Sequence, residues 1–377
     1  MKRNMTIGLV ANPKRGDGSE LDFEYTSDET LHNITNSLEG AGARVIQIEA
    51  NNDIQKRLTA LADELDLAFN IAEGLPEWKD RKYHVPCILE GMCIPHTGSD
   101  SAAQHIAQDK SQTRLVLGGS VYQPEWQALD GPEPLIEIDD YPLFIKPSCE
   151  GSSMGISENC IVHSEEEMKE VVERMLSKYG AVIAEQFLGG SEYNMGVIGD
   201  VVLPALTWNL EDMPGGPKVK TRDTKDHCSG YVKKVDDDVR YMQLAMQAAA
   251  AHSGLKASDC SRSDFRSRRL DDGSDSGPHF LEINLLPSLA KGASLMRAAD
   301  AAGIKYETVI NCIVYSAMIR SMNNGRFVDR LKNIDTGGFV EAYKNSLAAG
   351  EYASFGFGDQ QYRVLMPKAP ERAAITC

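Results

Sequence analysis

Apolar and polar positions along the first hundred residues switch between a strand period and a helix period. Thr6-Ile-Gly-Leu-Val-Ala11 is a short apolar run that enters the turn-rich segment Asn12-Pro-Lys-Arg-Gly-Asp-Gly18. Leu31, Ile34 and Leu38 then recur at helical spacing, with Gly40 and Gly42 after them, which predicts a helix over 27–41. Arg44-Val-Ile-Gln-Ile48 predicts a strand, 53–63 a helix and Leu67-Ala-Phe-Asn70 a third strand. This alternation predicts a parallel α/β unit with right-handed crossovers. Asn70-Ile-Ala-Glu-Gly74 then stands at a strand's carboxyl end, where open α/β sheets place ligands. A helix over 83–93 follows. Asp100 or Ser101 caps the next helix, which is expected to contain Asp109 and Lys110.

Further on, 115–140 is loop-rich and Leu143 to Ser148 is a central strand. Residues 164–179 form a helix whose Ser164 and Glu167 make a capping box. Residues 181–187 form a strand, and 191–206 two strands around Gly199-Asp200. Residues 209–230 are expected to be a mobile loop, since structureless loops of about 20 residues are usually functional or disordered. An alanine-rich helix covers 237–251, strands cover 259–270 and 279–284, and one helix covers 294–322. The residues beyond read as an irregular appendage.

Composition narrows the classes. A chain of 377 residues has room for two or three domains, and 42% hydrophobic with 25% charged residues is ordinary for a globular enzyme. A formal net charge of −16 argues against nucleic acid and anionic lipid as partners, since both demand a basic footprint. No apolar run reaches the roughly 18 residues of a membrane span. The N-terminus lacks a signal-type apolar region. The eight cysteines form no C-x-x-C pair, so no zinc site is expected, and they read as reduced thiols of a cytoplasmic protein. Cys149 has no histidine close in sequence and reads as a small loop residue.

Two stretches carry chemistry. In Phe144-Ile-Lys-Pro-Ser-Cys-Glu-Gly-Ser-Ser-Met-Gly155, Lys146 lies near a strand end. The turn Gly151-Ser-Ser-Met-Gly155 beside it can offer backbone N–H groups to an anion. In Arg262-Ser-Asp264 and Glu282-Ile-Asn284, residues two apart share a strand face, so pairing the strands lines one cleft with all four outer residues. Two carboxylates and an amide oxygen make a hard-oxygen site suited to Mg²⁺ on phosphates, with Arg262 placed for a carboxylate or an oxyanion. Glu185, Phe187 and Glu192 add a segment able to meet adenine and ribose.

Together with Lys110, Val85-Pro86 and Ile94-Pro-His-Thr-Gly-Ser-Asp100, these motifs resemble the ATP-grasp superfamily, and within it the D-alanine–D-alanine ligase family, over residues 1 to about 320. The resemblance implies a mixed α/β, three-domain ATP-grasp fold with ATP held between the central and C-terminal domains. The units would be an N-terminal parallel α/β domain over 1–109, a central subdomain over 110–188, a catalytic domain over 189–322 and an extension over 323–377. It implies Lys110 and Lys146 on the phosphates, with Glu150, Gly151, Ser152, Ser153 and Gly155 as a flap over them. Glu185 and Phe187 would hold adenine, and Glu192 ribose. Lys220, with Lys218 and Lys225 as competitors for the role, would reach the γ-phosphate. Asp264, Glu282 and Asn284 would hold two Mg²⁺, with Mn²⁺ as a substitute. Arg262, Lys220 and Ser152 would be the catalytic set.

The implied reaction is an ATP-dependent ligation of a carboxylate to an amine through an acyl phosphate, on amino-acid-like substrates, by a cytoplasmic homodimer. Kept beside it are D-alanyl-D-alanine synthesis for cell wall, a phosphotransferase and a non-catalytic nucleotide-binding protein. The chain departs from the family pattern in its amino-acid half. Asn12-Pro-Lys-Arg-Gly16 replaces a glycine-rich turn with a substrate-binding glutamate, and Leu286-Pro-Ser288 replaces Leu-Pro-Gly. The serine for the second substrate falls near Ala293-Ser294, beside Lys291. An altered contact of this kind changes discrimination by about 1–3 kcal/mol, so the acceptor, the donor or both are expected to differ from D-alanine.

Overall fold

The computed structural model describes residues 2–19, 21–75, 81–129, 141–208, 210, 215–216, 218–221, 232–323, 331, 334–347, 352–357 and 360–365. Strands β1 (Arg3–Asn4) and β2 (Thr6–Ala11) are followed by α1 (Asp28–Gly40), β3 (Arg44–Glu49), α2 (Ile54–Leu61) and β4 (Leu67–Asn70). The order β3-β2-β4 is parallel throughout, as the alternating pattern predicts. Ser27 caps α1 by accepting from Thr30 N–H, and Leu31, Ile34 and Leu38 face the core. Next come α3 (His84–Gly91), α4 (Ser101–Gln108), α5 (Lys110–Leu117), β5 (Trp126–Leu129), β6 (Leu143–Pro147), β7 (Ile161–Val162), α6 (Glu165–Tyr179) and β8 (Val182–Gln186). They build an antiparallel sheet of order β5-β8-β6-β7, with α6 packed on it.

The third unit is an eight-stranded sheet. It holds β9 (Glu192–Ile198), β10 (Val201–Val202), β11 (Leu206–Trp208), β12 (Val232–Lys234), β13 (Cys260–Arg269) and β14 (Asp275–Asn284), with α7 (Asp238–Gly254) against it. After α8 (Ser294–Ala301) and α9 (Tyr306–Asn323) come β15 (Ile334–Asp335), α10 (Gly337–Asn345), β16 (Tyr352–Phe357) and β17 (Gln360–Leu365). One core cluster joins β2 and α1 to α8 and α9, so the first sheet and the last helices share a hydrophobic interior.

Five expectations change. The helix expected to contain Asp109 and Lys110 is two helices. Asp109 is extended at φ −96° and ψ 113°, and its carboxylate accepts from Ser111 N–H at 2.8 Å, so it starts α5 instead of continuing α4. The helix expected over 294–322 breaks after Ala301, where Gly303 at φ +73° and the bond from Ile304 N–H to Ala299 O close a left-handed cap. The loop-rich 115–140 segment contains β5, paired to β8. The capping box of α6 is half formed: Ser164 accepts from Glu167 N–H, but the Glu167 carboxylate takes the N–H of His163. Finally, the appendage is structured: β15 pairs with β1, α10 packs on α9, and β17 runs parallel to β10 in the large sheet. Arg363 binds Asp200 through Nε at 2.7 Å and Nη2 at 2.8 Å. Most of the loop expected over 209–230, Lys225 included, lies outside the described residues.

Candidate active site

A cleft of about 540 Å³ opens where the three sheets meet. The break at Asp109 shapes its floor. It makes Lys110 the first residue of α5, tied to the central strand by Lys110 N–H to Ser148 O at 3.0 Å and by Ser148 Oγ to Asp109 at 2.6 Å. Lys110 Nζ then donates to Glu150 O at 2.5 Å and lies 3.4 Å from Glu282. Lys146, on β6, is buried and donates to Glu185 at 2.7 Å. Pro147 pairs with Val182 at the end of β6, beyond the two residues that β7 pairs with, so its missing N–H costs no ladder bond.

Glu185, expected at adenine, has its carboxylate between Lys146 and the fully buried Arg114. Burial pushes the Glu185 carboxyl up, but Arg114 and Lys146 outweigh it and hold it below the usual range. Burial lowers Lys146 to about 8 against the pull of Glu185. Arg114 carries no chemical signature in the sequence, because nothing local shows that α5 turns it inward. Phe187 sits 6.3 Å from Phe144, ring to ring, on the cleft wall.

The flap is backbone-strained. Ser152 and Ser153 lie at φ +52° and +58°, a left-handed pair without glycine that costs on the order of 1–3 kcal/mol per residue. Ser153 Oγ donates to Lys220 O at 2.8 Å, and Ser152 helps to lower the Glu24 carboxyl. Gly151 and Ser152 line the cleft. Gly155, at φ +75°, does not, and a Cβ there would meet the Tyr179 ring at 2.8 Å. Lys220 Nζ lies 3.7 Å above the Trp208 ring and 3.8 Å from Glu192, and Trp208 and Glu192 are cross-strand partners.

Arg262 pairs with Asn284 and Asp264 with Glu282 across β13 and β14, so the four residues do share one face. Arg262 clamps Asp264 through Nε and Nη2, both at 2.8 Å, and Asn194 donates to Asp264 at 2.6 Å. Even so, Asp264 titrates above its ordinary value: burial raises it, and Glu282 opposite adds to that against Arg262. Two facing carboxylates beside an amide oxygen fit a divalent cation.

The end of the cleft nearest β2 and β4 holds Glu73, from the 70–74 segment singled out at a strand's carboxyl end, together with Glu24 and Lys82, which the sequence did not single out. Glu24 pairs with Arg81 at 2.5 Å and Glu73 with Lys82 at 2.9 Å. Glu24 Oε1 lies 3.0 Å, and Lys82 Nζ 4.0 Å, from where a Cβ on Gly151 would be. Burial pushes Glu24 up, but Lys82 and Arg81 hold it below the carboxylate range; burial prevails at Glu73, raising it to about 7. A cleft-facing glutamate therefore exists, reached from a later part of the first loop than the turn at 12–16.

A buried strand lysine, a strained glycine- and serine-rich turn and paired carboxylates thus line one cleft, and similarity to known proteins gives the class. The family model for the D-ala D-ala ligase C-terminus matches residues 122–315. The D-alanine–D-alanine ligase B of Chromobacterium violaceum is 33% identical over 261 residues, covering 67% of this chain and 81% of that protein. The D-alanine–D-alanine ligase of Syntrophotalea carbinolica is 27% identical over 294 residues, covering 76% and 90%. The solved D-alanine–D-alanine ligase from Bacillus anthracis complexed with ATP has the same fold, with TM-score 0.66 and 21% identity over 85% of this chain and 100% of that one. The chain belongs to the D-alanine–D-alanine ligase family and is an ATP-dependent ligase that forms C–N bonds.

Proposed function

We propose that this ligase activates one amino-acid-like carboxylate with ATP and Mg²⁺ and delivers it to the amine of a second. The observation that carries this reading is the face-to-face pair Asp264 and Glu282, with Lys110 3.4 Å from Glu282. Asp264, Glu282 and Asn284 would hold the metal, which neutralises phosphate charge and screens the approach of one anion to another. Lys110 and Lys146 bind the phosphates, and the flap from Glu150 to Gly155 covers them with N–H donors. Phe187 forms a wall for the base and Glu192 takes the ribose hydroxyls. The substrate carboxylate attacks the γ-phosphorus and ADP leaves. The amine then attacks the carbonyl carbon of the acyl phosphate, Nη1 of Arg262, free of Asp264, steadies the tetrahedral oxyanion, and the C–O bond to phosphate breaks, so that inorganic phosphate leaves with the proton the amine sheds. Lys220 follows the γ-phosphate, and Ser152 and Glu24 order the amino-acid end.

The family relatives named above act on D-alanine by name, so D-alanine is the first substrate to test. The altered residues in the amino-acid half favour a different acceptor or donor. We take 1–109, 110–188, 189–322 and 323–377 as working units of a cytoplasmic homodimer. No helix among the described residues is long and apolar enough to cross a membrane. The test is ADP release with ATP and Mg²⁺ against D- and L-amino acids, singly and in pairs, with products identified by mass. An amide product sustains the reading. A stable phosphorylated acceptor without amide overturns it in favour of phosphotransfer.

A further inference from the structure

Arg266 is buried, lines the cleft and has no part in the reaction as derived above. It lies on β13, opposite Glu192 of β9. Its guanidinium sits 5.2 Å over the Phe187 ring, on the wall assigned to the base. Nε donates to Gly190 O at 3.2 Å, and Nη2 donates to Lys218 O at 2.6 Å. One rigid fork thus spans a fixed turn and the segment that carries Lys220. That segment is also pinned by Lys218 N–H to Glu158 at 2.9 Å and by Ser153 Oγ to Lys220 O.

Burial opposes the charge on Arg266, and Glu192 is the acid that chiefly offsets this. An aliphatic residue would pack against Phe187 without that cost. What the arginine adds is geometry: a planar fork held at Gly190 O and Lys218 O, with its centre 5.2 Å from the Phe187 ring. Anything that fixes the contact with Phe187 also restrains Nη2, and with it the carbonyl two residues before Lys220.

We propose that Arg266 is a positioning residue that couples occupancy of the base site to the docking of segment 218–221, and so to the placement of Lys220. This rests on the ATP reading above. In the closed arrangement the Lys218 carbonyl is held, Lys220 stays between Trp208 and Glu192 until phosphate draws it, and water is kept from the acyl phosphate. Without the fork, nucleotide still binds but the segment does not dock in response.

The test is hydrogen exchange of the 218–221 amides with and without AMP-PNP and Mg²⁺, together with steady-state kinetics. In the unaltered protein AMP-PNP slows exchange about tenfold or more, since docking opposes local opening. Arg266→Met keeps an apolar stem against Phe187. It is expected to bind AMP-PNP within about threefold of the unaltered protein but to lose the protection, with kcat falling about tenfold and KM for ATP nearly constant. The ratio of ADP to amide rises above one as water intercepts the intermediate. Arg266→Lys keeps the charge without the fork and carries the same expectation should the methionine variant not fold. Unchanged protection, or an unchanged ADP-to-amide ratio, in a folded variant overturns the coupling. Failure of the unaltered protein to bind AMP-PNP overturns the ATP reading itself, and the inference with it.

Discussion

Two clusters of acids and bases face the same cleft, and they are built to different ratios. Beneath the phosphate flap, the three cations Lys110, Arg114 and Lys146 stand with two carboxylates, Glu185 between Arg114 and Lys146 and Glu282 3.4 Å from Lys110. Toward β2 and β4, against Gly151 of the same flap, Glu24 and Glu73 are matched one for one by Arg81 and Lys82. The first cluster has positive charge left over and suits a polyanion. The second is balanced, so it gains from a ligand only if that ligand carries both signs, as an amino acid does. The difference teaches that a buried ion cluster announces its ligand by the charge it leaves uncompensated, not by how many charges it holds.

The strongest way to break this comparison is to remove the carboxylate that faces both the metal position and Lys110. Glu282→Ala is expected to lower ADP formation by about a thousandfold or more; unchanged turnover in an ADP-release assay would sink the metal assignment. Next, Lys146→Met should reduce kcat/KM for ATP about a hundredfold while amino-acid KM values hold, because it depletes only the uncompensated cluster. Equal losses for both substrates would show that the two ends are not separate. Within the balanced cluster, Glu73→Gln or Lys82→Met should raise amino-acid KM about tenfold and leave KM for ATP in place. A shift in KM for ATP instead would assign the cluster to nucleotide.

A pH profile sharpens the same contrast. Lys146 titrates at about 8 in the folded chain, below its ordinary 10.5. Above about pH 8 it loses its charge, so KM for ATP should rise up to about tenfold per pH unit, and Lys146→Met should flatten the profile. The sign for stability is opposite. A depressed lysine gives stability that is present above 10.5 and lost as pH falls through 8, so melting temperature should not fall across that window on account of Lys146. A melting temperature that drops in step with KM, and does so only when Lys146 is present, would contradict the burial argument. The smallest catalytic effect is expected far from both clusters. Tyr362→Ala, in the core of the large sheet, should cost about 3 kcal/mol of stability yet leave KM values of the folded fraction unchanged, as denaturant titration and kinetics would show.

Much of this was legible in local pattern. The strand–helix alternation of the first sheet follows from spacing alone, and the common face of Arg262, Asp264, Glu282 and Asn284 follows from the two-residue period of a hairpin. What stayed hidden depends on contacts between distant segments. Arg114 and Glu185 are 71 residues apart, and Glu24 meets Arg81 across 57, so neither pair leaves a sequence signature. Asp109 reads as helix interior, and only its extended backbone and the bond its carboxylate accepts from Ser111 N–H show that it caps α5. The tail misleads for the same reason. Its strands are short and its glycines frequent, and they become a sheet edge only against β10 and β1.

The pairing of β17 with β10 also bears on how the protein is made. Asp200 waits for Arg363, 163 residues later, before the edge beside β10 is covered. A growing chain therefore carries an open strand edge while the 163 residues from Asp200 to Arg363 are made, a standing invitation to pair with a neighbour. Products halted before β17 would hold every residue assigned here to nucleotide and metal. They would still be the ones that clump, or that quality control removes.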